Sequence, residues 1–437
     1  MKKIIFFILF LFSGNLSAQK TLKINVLDYG AKGDGVYNNY SSLQKVYDAI
    51  NQNGGGEIFF PKGVYYLDSY HTADNNLPDL IIENCNYLKI YGDRAVISVK
   101  GNFKRNVTSS NAKNKMFSTD YAITPMIIKA CKNVSIENLE IRGNVQQTTR
   151  DSSVVESGGR LIVIGNSDNV SLKNLYLHHA QTDGLYILGS NAFKADNVIC
   201  SNNARQGMSI ITMQNGTFNN CQFINTGITE GSYGHHGPSA GVDLEPNKKT
   251  QFVNNVVFSN CKFENNLGSQ FIASNPATTE NVTLNNCSII AHQDSPNRTI
   301  IVNAKNVVFN NCTIDCKKGN IYPVWHKPGA SSVFSNCVIK SEASGFVVVS
   351  NDPTQNVSIE NCSIEYTGNT NLNSYFPYIQ MENVNFTNNK ITIPKEYYRL
   401  KGPSSLIQKA RSVSNNTFIS NGKSVTPPAS FSGSTLK

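Results

Sequence analysis

The 437-residue sequence has no apolar run that approaches the ~18 residues of a membrane-spanning helix. It also has no block of lysines and arginines, no glycine-rich nucleotide-binding motif and no paired Cys or His spacing typical of metal sites. These absences give no support to a membrane span, a nucleic-acid partner, a nucleotide cofactor or a structural metal. The formal net charge is +9, which would favour an acidic glycan as partner, although the charges are scattered.

Residues 1–19 have the pattern of a secretory signal peptide. A basic start at Lys2 and Lys3 is followed by an apolar run over residues 4–12 and a small, polar stretch up to residue 19. We therefore expect an exported protein, periplasmic or secreted.

A cysteine recurs in the frame Asn-Cys-x-hydrophobic, and its last four occurrences are each 25 residues apart. The positions are Cys221, Cys261, Cys287, Cys312, Cys337 and Cys362. Self-similarity at a period of 20 to 50 residues is typical of solenoids, in which each unit buries a face against its neighbours. The sequence therefore predicts a solenoid.

Within one unit, residues 356–364 (NVSIENCSI), apolar and polar residues alternate, slip by one position at Asn361 and alternate again. This pattern indicates a strand, a tight bend and a second strand, with Asn suited to the bend because it tolerates left-handed backbone angles. Cysteines stacked at one slot are expected to be buried, unpaired thiols. A Cys312–Cys316 disulfide stays open, because these two residues are close in sequence.

The segment after the predicted signal peptide resembles a known cap. Residues 25–35 (NVLDYGAKGDG), 43–50 (LQKVYDAI) and 54–65 (GGGEIFFPKGVY) are similar to the start of pectate-lyase-superfamily proteins. The resemblance implies an edge strand, a short helix that plugs one end and the first coil of a β-helix. Leu43, Val46 and Ile50 have helical spacing, and Ser41 or Ser42 could cap the helix.

We therefore predict an all-β protein, a single-stranded right-handed parallel β-helix (solenoid) of roughly a dozen coils with a short N-terminal capping helix. The β-helix domain is placed at residues 20–425, with the cap at 24–67 and a loose tail at 426–437. Asp34, in the cap, is predicted to be a turn residue.

Three successive coils carry outward polar residues beside the largest interruption of the repeat. Aligning the glycines of residues 182–187 (TDGLYI), 205–210 (RQGMSI) and 239–246 (SAGVDLEP) stacks Tyr186, Ser209 and Asp243 in one column. Because the residues on either side of Asp243 are apolar, Asp243 and Glu245 are expected to face solvent.

Paired carboxylates are suited to acid–base chemistry, because one can be protonated while its neighbour is ionised. Asp243 and Glu245 are therefore the predicted catalytic acid and base or nucleophile, with Asp183 assisting. Thr182-Asp183-Gly184 resembles the Asn-Thr-Asp motif of polygalacturonases, which implies an acid or base role for Asp183. The other polygalacturonase motifs are missing, and Arg205-Gln206 stands where an Asp-Asp pair is expected.

Further residues are predicted to bind substrate. Arg205 could hold a sugar acid or tune an aspartate, and the interrupting loop at residues 229–238 brings two adjacent histidines that could be a base, a metal ligand or a sugar contact. The set comprises Arg205, Gln206, Tyr186, His235, His236, Tyr233 and Arg160.

Three functions are consistent with these residues. The first is an exported glycoside hydrolase that degrades a polysaccharide and needs no cofactor. The second is a polysaccharide lyase or uronate epimerase for an acidic glycan, with Arg205, Arg160 or His236 as base. In that case Asp243, Glu245 and Asp183 could hold calcium. The third is a non-catalytic glycan-binding β-helix protein.

Overall fold

The computed structural model describes most of the repeat region and the N-terminal cap. The described residues are 21–68, 80–100, 104–105, 123–147, 149–150, 159–229, 234–235, 237–275, 277–293, 295, 298–317, 324–326, 329–342, 356–367, 384–393, 412–420 and 423–425. The predicted signal peptide and the predicted tail lie outside them. Among the described residues, no helix has the length and apolar character needed to cross a membrane.

The cap is built as the sequence predicts. Helix Tyr40–Asn53 buries Leu43, Val46 and Ile50, and a 3-10 turn, Val26–Tyr29, precedes it. Four short strands complete the cap: Lys23–Asn25, Asp34–Asn38, Gly55–Phe60 and Gly63–Leu67.

The predicted N-cap at Ser41 or Ser42 is wrong, because the helix begins one residue before them. Asn39 occupies the N-cap position without a side-chain capping bond. Its amide instead joins the preceding turn, accepting from the backbone N–H of Lys32 at 2.7 Å and donating to the carbonyl of Tyr37 at 2.9 Å. Asp34 is a turn residue, as expected, since its Oδ1 accepts from two backbone N–H groups two and three residues ahead.

In the part of the solenoid that the structure describes, one face is a parallel sheet of nine strands, here called the nine-strand sheet. Its strands are Ile81–Glu83, Met126–Lys129, Ile162–Gly165, Asp183–Ile187, Gln206–Ile210, Ala240–Leu244, Phe271–Ala273, Ile300–Val302 and Val324–His326.

A second set of strands forms the other faces and bends at residues in the left-handed region, which are mostly asparagines; in strand Tyr87–Val99 this residue is Arg94. In the first coils, each bend lies inside one long strand: Tyr87–Val99, Lys132–Arg142, Asp168–His178 and Ser190–Ser201. Later coils have two strands each: Met213–Asn219 and Gln222–Ile224, Val253–Ser259 and Lys262–Glu264, Thr279–Asn285 and Ser288–Ile290, Lys305–Asn310 and Thr313–Cys316, Ser331–Ser335 and Val338–Ser341, Asn356–Glu360 and Ser363–Tyr366, Val384–Thr387 and Lys390–Ile393, Ser412–Ser414 and Thr417–Ser420.

Three small elements lie outside this repeat. A two-stranded pair joins Lys104–Arg105 to Thr149–Arg150 beside a 3-10 turn at Val145–Gln147. The last strand, Lys423–Val425, pairs antiparallel with Thr417–Ser420, whereas the strands of the coils pair in parallel.

The asparagine bends adopt the predicted conformation. Asn138, Asn174, Asn286, Asn311 and Asn361 have φ between 51° and 56°, in the left-handed region. Bends of this kind are stacked on successive coils, and the Asn174 side chain donates to that of Asn138 at 2.9 Å. The slip in the hydrophobic pattern therefore marks the corner between two faces.

The core behind these faces consists of stacked apolar side chains and thiols. Phe218 stacks on Phe258 of the next coil with ring centroids 4.7 Å apart. All ten cysteines are free and buried, including Cys312 and Cys316, so the predicted thiol ladder is confirmed and no bridge joins these two. Cys312 Sγ donates to the carbonyl of Leu284 at 3.3 Å, a bond toward the preceding coil.

Candidate active site

The predicted column of outward residues is present on the nine-strand sheet. Tyr186 is in register with Ser209, and Ser209 with Asp243. Val242 and Leu244 are fully buried in the core on either side of Asp243. Because side chains alternate along a strand, the Asp243 side chain lies on the outer face of the sheet.

The outer face is nevertheless covered at this point, so the prediction that Asp243 faces solvent is wrong. Asp243 is only 5% exposed, and the Glu245 side chain is 19% exposed. Neighbouring polar side chains take the place of water. Gln206 Nε2 donates to Asp243 Oδ2 at 3.4 Å. Among the described residues, Asp243 Oδ1 has no hydrogen-bond partner.

Burial dominates the electrostatics of Asp243. It raises the pKa of this carboxyl well above the usual value, because the charged form loses its hydration. The charges of Glu245 and Asp183 raise the pKa further, while Arg205 and the hydrogen bond from Gln206 oppose the shift. Asp243 is therefore held toward its protonated form.

Arg205 links the other two predicted catalytic acids. Its Nη1 donates to both carboxylate oxygens of Asp183, at 3.2 and 3.1 Å, and its Nη2 donates to Glu245 Oε1 at 3.3 Å. Asp183 has no exposed surface and Arg205 is 8% exposed. Of the roles predicted for Arg205, this geometry fits the tuning of an aspartate.

Arg160 enters the same cluster from the chain just before strand Ile162–Gly165. Its Nε lies 3.7 Å from Asp183 Oδ2, and its guanidinium carbon lies 4.1 Å from the centre of the Tyr186 ring. Tyr186 is 7% exposed, and burial raises its pKa to about 12. This buried ring offers little surface for the substrate contact predicted from the sequence.

Ser209 is the functional candidate that the sequence did not single out as a site residue. Its hydroxyl lies 2.6 Å from Gln206 Oε1 and 3.2 Å from Asp183 Oδ2, and both Ser209 and Gln206 are fully buried. Its place in the column with Asp243 was the available signal. Gln206, predicted to bind substrate, here contacts Ser209 and Asp243 instead.

The interrupting loop is described only in part. His235 is exposed, and its Nδ1 lies 3.0 Å from Ser239 Oγ. His236 and Tyr233, predicted substrate contacts, lie outside the described residues.

The three acids do not form a calcium site. Calcium takes six to eight oxygen ligands. Two of the three carboxylates, those of Asp183 and Glu245, are already bound to the guanidinium of Arg205. A cation shared by these acids would meet that positive charge, so the cluster does not fit calcium.

The comparisons with known proteins agree with this architecture. Residues 23–234 match a family model described as "Rhamnogalacturonase A/epimerase, pectate lyase-like". The A-module of a mannuronan C-5 epimerase from Azotobacter vinelandii superposes with a TM-score of 0.55 and 14% identity, covering 90% of this chain and 95% of that one. The chain has the pectate-lyase-like right-handed β-helix fold. The resemblance predicted from residues 25–65 is thus confirmed.

Curated relatives match this chain over part of its length. An uncharacterized prophage-derived protein, YomE, of Bacillus subtilis is 30% identical over 38% of this chain and 22% of its own. Plasmin and fibronectin-binding protein A of Streptococcus pneumoniae is 26% identical over 40% and 23%. Alginate lyase 7 of Azotobacter vinelandii is 24% identical over 44% and 24%. The chain thus spans less than a quarter of the length of these relatives.

The family match covers only part of the candidate site. Asp183, Arg160 and Arg205 lie within residues 23–234, and Asp243 and Glu245 follow them in the chain. The cluster therefore joins residues of the matched region to a strand beyond it.

Proposed function

We propose that the protein is an enzyme that hydrolyses a polysaccharide, with Asp243 as proton donor and Glu245 as base or nucleophile. The observation that carries this proposal is the contrast between two carboxylates two residues apart. Asp243 is buried and its pKa is raised, whereas Glu245 reaches the surface and pairs with Arg205. Hydrolysis of a glycosidic bond needs one protonated and one ionised carboxyl group at the same pH.

Asp183 and Arg205 support this pair in the proposed mechanism. Both are buried, so we assign them positioning roles: Arg205 binds the Glu245 carboxyl group, and Asp183 fixes Arg205 from the opposite side. Positive charge beside Glu245 favours its carboxylate form, which is the form that a base or nucleophile requires.

A second candidate, a lyase or epimerase acting on a uronate polymer, is favoured by the name of the matching family and by the alginate lyase relative. In this case the guanidinium of Arg160 would neutralise the uronate carboxylate, and Glu245 would remove the proton alpha to it. Arg205 is unsuited as base, because its two ion pairs favour its charged form.

One assay separates these candidates. The protein is incubated with a panel of neutral and acidic polysaccharides, and reducing ends, ultraviolet absorbance and the uronate composition by NMR are followed together. Hydrolysis yields reducing ends without absorbance, elimination yields both, and epimerisation changes composition alone. If the folded protein gives no change in any channel, the enzyme proposals fail and the non-catalytic glycan-binding alternative takes their place.

A further inference from the structure

A continuous chain of hydrogen-bonding groups joins Asp183 to Asp243 across two coils. It runs from Asp183 Oδ2 to Ser209 Oγ at 3.2 Å, on to Gln206 Oε1 at 2.6 Å, and from Gln206 Nε2 to Asp243 Oδ2 at 3.4 Å. All four residues are at most 5% exposed. Because little water reaches these four side chains, the hydrogen bonds that one of them makes largely determine those of the next.

The available protons satisfy only the Asp243 end of this hydrogen-bonded series and leave the Asp183 end without a donor from Ser209. Ser209 has a single hydroxyl proton, and two acceptors lie within reach. When it donates to Gln206, as the 2.6 Å distance favours, its lone pairs face the carboxyl oxygens of Asp183, which accept from Arg205 and likewise offer Ser209 no proton. Gln206 in turn donates to Asp243 Oδ2, a bond that suits an ionised Asp243.

Reversing the Gln206 amide produces a second arrangement in which every bond is satisfied. A protonated Asp243 donates to Gln206 Oε1, Gln206 Nε2 donates to Ser209 Oγ, and Ser209 donates to Asp183 Oδ2. The amide oxygen and nitrogen are nearly equal in size, so the reversal changes hydrogen bonds and leaves packing almost unchanged. One proton on Asp243 is the sole difference in composition between the two arrangements.

We propose that the Gln206 amide reverses with the protonation state of Asp243, and that Ser209 couples this switch to Asp183. Gln206 and Ser209 are positioning residues that let one carboxyl group release a proton and take it back within a buried site. The relevance of the switch to catalysis rests on the proposed function. The switch itself is a property of the buried chain and can be measured without substrate.

Other charged groups around Asp243 set the background for the switch. Glu245 and Asp183 disfavour its ionised form and Arg205 favours it, while Arg160 and the Tyr186 hydroxyl belong to the same electrostatic cluster. The substitutions that test the switch leave these five groups in place. A change in Asp243 titration then reports on Ser209 or Gln206.

The test is a pH titration of the full chain carrying carbon-13 in its aspartate carboxyl groups, followed by NMR. The Asp243 signal is identified by its loss in Asp243→Asn. Ser209 makes two hydrogen bonds in the reversed arrangement, which holds protonated Asp243, and one in the arrangement that holds ionised Asp243. Removing its hydroxyl in Ser209→Ala should therefore lower the pKa of Asp243 by about one unit. Gln206→Met removes both the donor to the ionised carboxylate and the acceptor of the protonated one, and because the charge-assisted bond is the stronger, that pKa should rise.

Opposite shifts are the signature of the switch. A fixed amide predicts an unchanged or raised pKa in Ser209→Ala, and general loosening of the site predicts a lower pKa in both variants. Either result would overturn the proposal. Ser209→Thr, which keeps the hydroxyl, should restore the original pKa, and thermal unfolding confirms that each variant is folded. Opposite pKa shifts without polysaccharide turnover would support the switch and reject the proposed function. Turnover without opposite shifts would support the proposed function and reject the switch.

Discussion

Arg205 binds Asp183 through one nitrogen that lies 3.2 and 3.1 Å from the two carboxylate oxygens, and this pair is buried, with Arg205 one coil and Asp183 two coils away from Asp243. A buried ion pair adds little net stability, but removing one partner leaves an uncompensated charge. We expect Arg205→Ala to lower the free energy of unfolding by about 3 to 5 kcal/mol, measured by denaturant titration.

The matched control is Arg94→Ala, which removes a guanidinium from a pair with Asp93 whose side chains are 71% and 56% exposed. Exposed pairs contribute about 0 to 1 kcal/mol. Equal losses in the two variants would show that the Arg205–Asp183 pair is not a buried charge pair.

The raised pKa of Asp243 predicts how stability depends on pH. Its value in the unfolded chain is near 3.8, and the folded value is higher. The native state therefore holds this proton more tightly than the unfolded chain does. The resulting contribution to the free energy of unfolding is present below pH 3.8 and is lost as pH rises through the folded pKa.

Asp243→Asn has no carboxyl group to ionise, so its melting temperature should rise relative to that of the wild type as pH increases above 3.8. The two melting curves are compared over a pH series. A difference that stays constant from acid to neutral pH would contradict the burial of an ionisable Asp243.

The thiol ladder predicts a simple chemical result. All ten cysteines are free and buried. An alkylating reagent should modify none of them in the native protein and all ten after unfolding, without any reductant, as counted by mass spectrometry. Thiols that appear only after reduction would reveal disulfides and contradict the ladder.

The asparagine bends should be sensitive to the loss of left-handed geometry. Asn311 has φ 53°, where an alanine costs roughly 1 to 2 kcal/mol because its Cβ approaches the backbone. We expect Asn311→Ala to lower the free energy of unfolding by that amount and Asn311→Gly to stay within about 1 kcal/mol of the wild type. Equal losses in both variants would assign the effect to the amide side chain instead.

The architecture could be predicted because it repeats. The 25-residue spacing of Cys287, Cys312 and Cys337 and the slip at each bend asparagine report the same local geometry many times. The column of Tyr186, Ser209 and Asp243 followed from the glycine alignment, because in-register parallel strands stack equivalent positions.

The environment of Asp243 could not be predicted in this way, because it depends on contacts outside the repeat. Arg160 reaches the Tyr186 ring from an irregular segment, and Arg205 turns toward two acids at once. Alternation along a strand indicates which face a side chain occupies. It gives no information on what covers that face, which is why Asp243 was expected in solvent.

The most direct test of the account is polysaccharide cleavage by Asp243→Asn and Glu245→Gln, each compared with the wild type and with Glu280→Gln, which changes an exposed glutamate on another face. Reducing ends released from a polysaccharide that the wild type cleaves give the rate. We predict that each of the first two variants loses about 10²- to 10⁴-fold in rate while folded, and that Glu280→Gln retains it. Wild-type rates in both Asp243→Asn and Glu245→Gln would contradict the assignment of this pair as the acid and base.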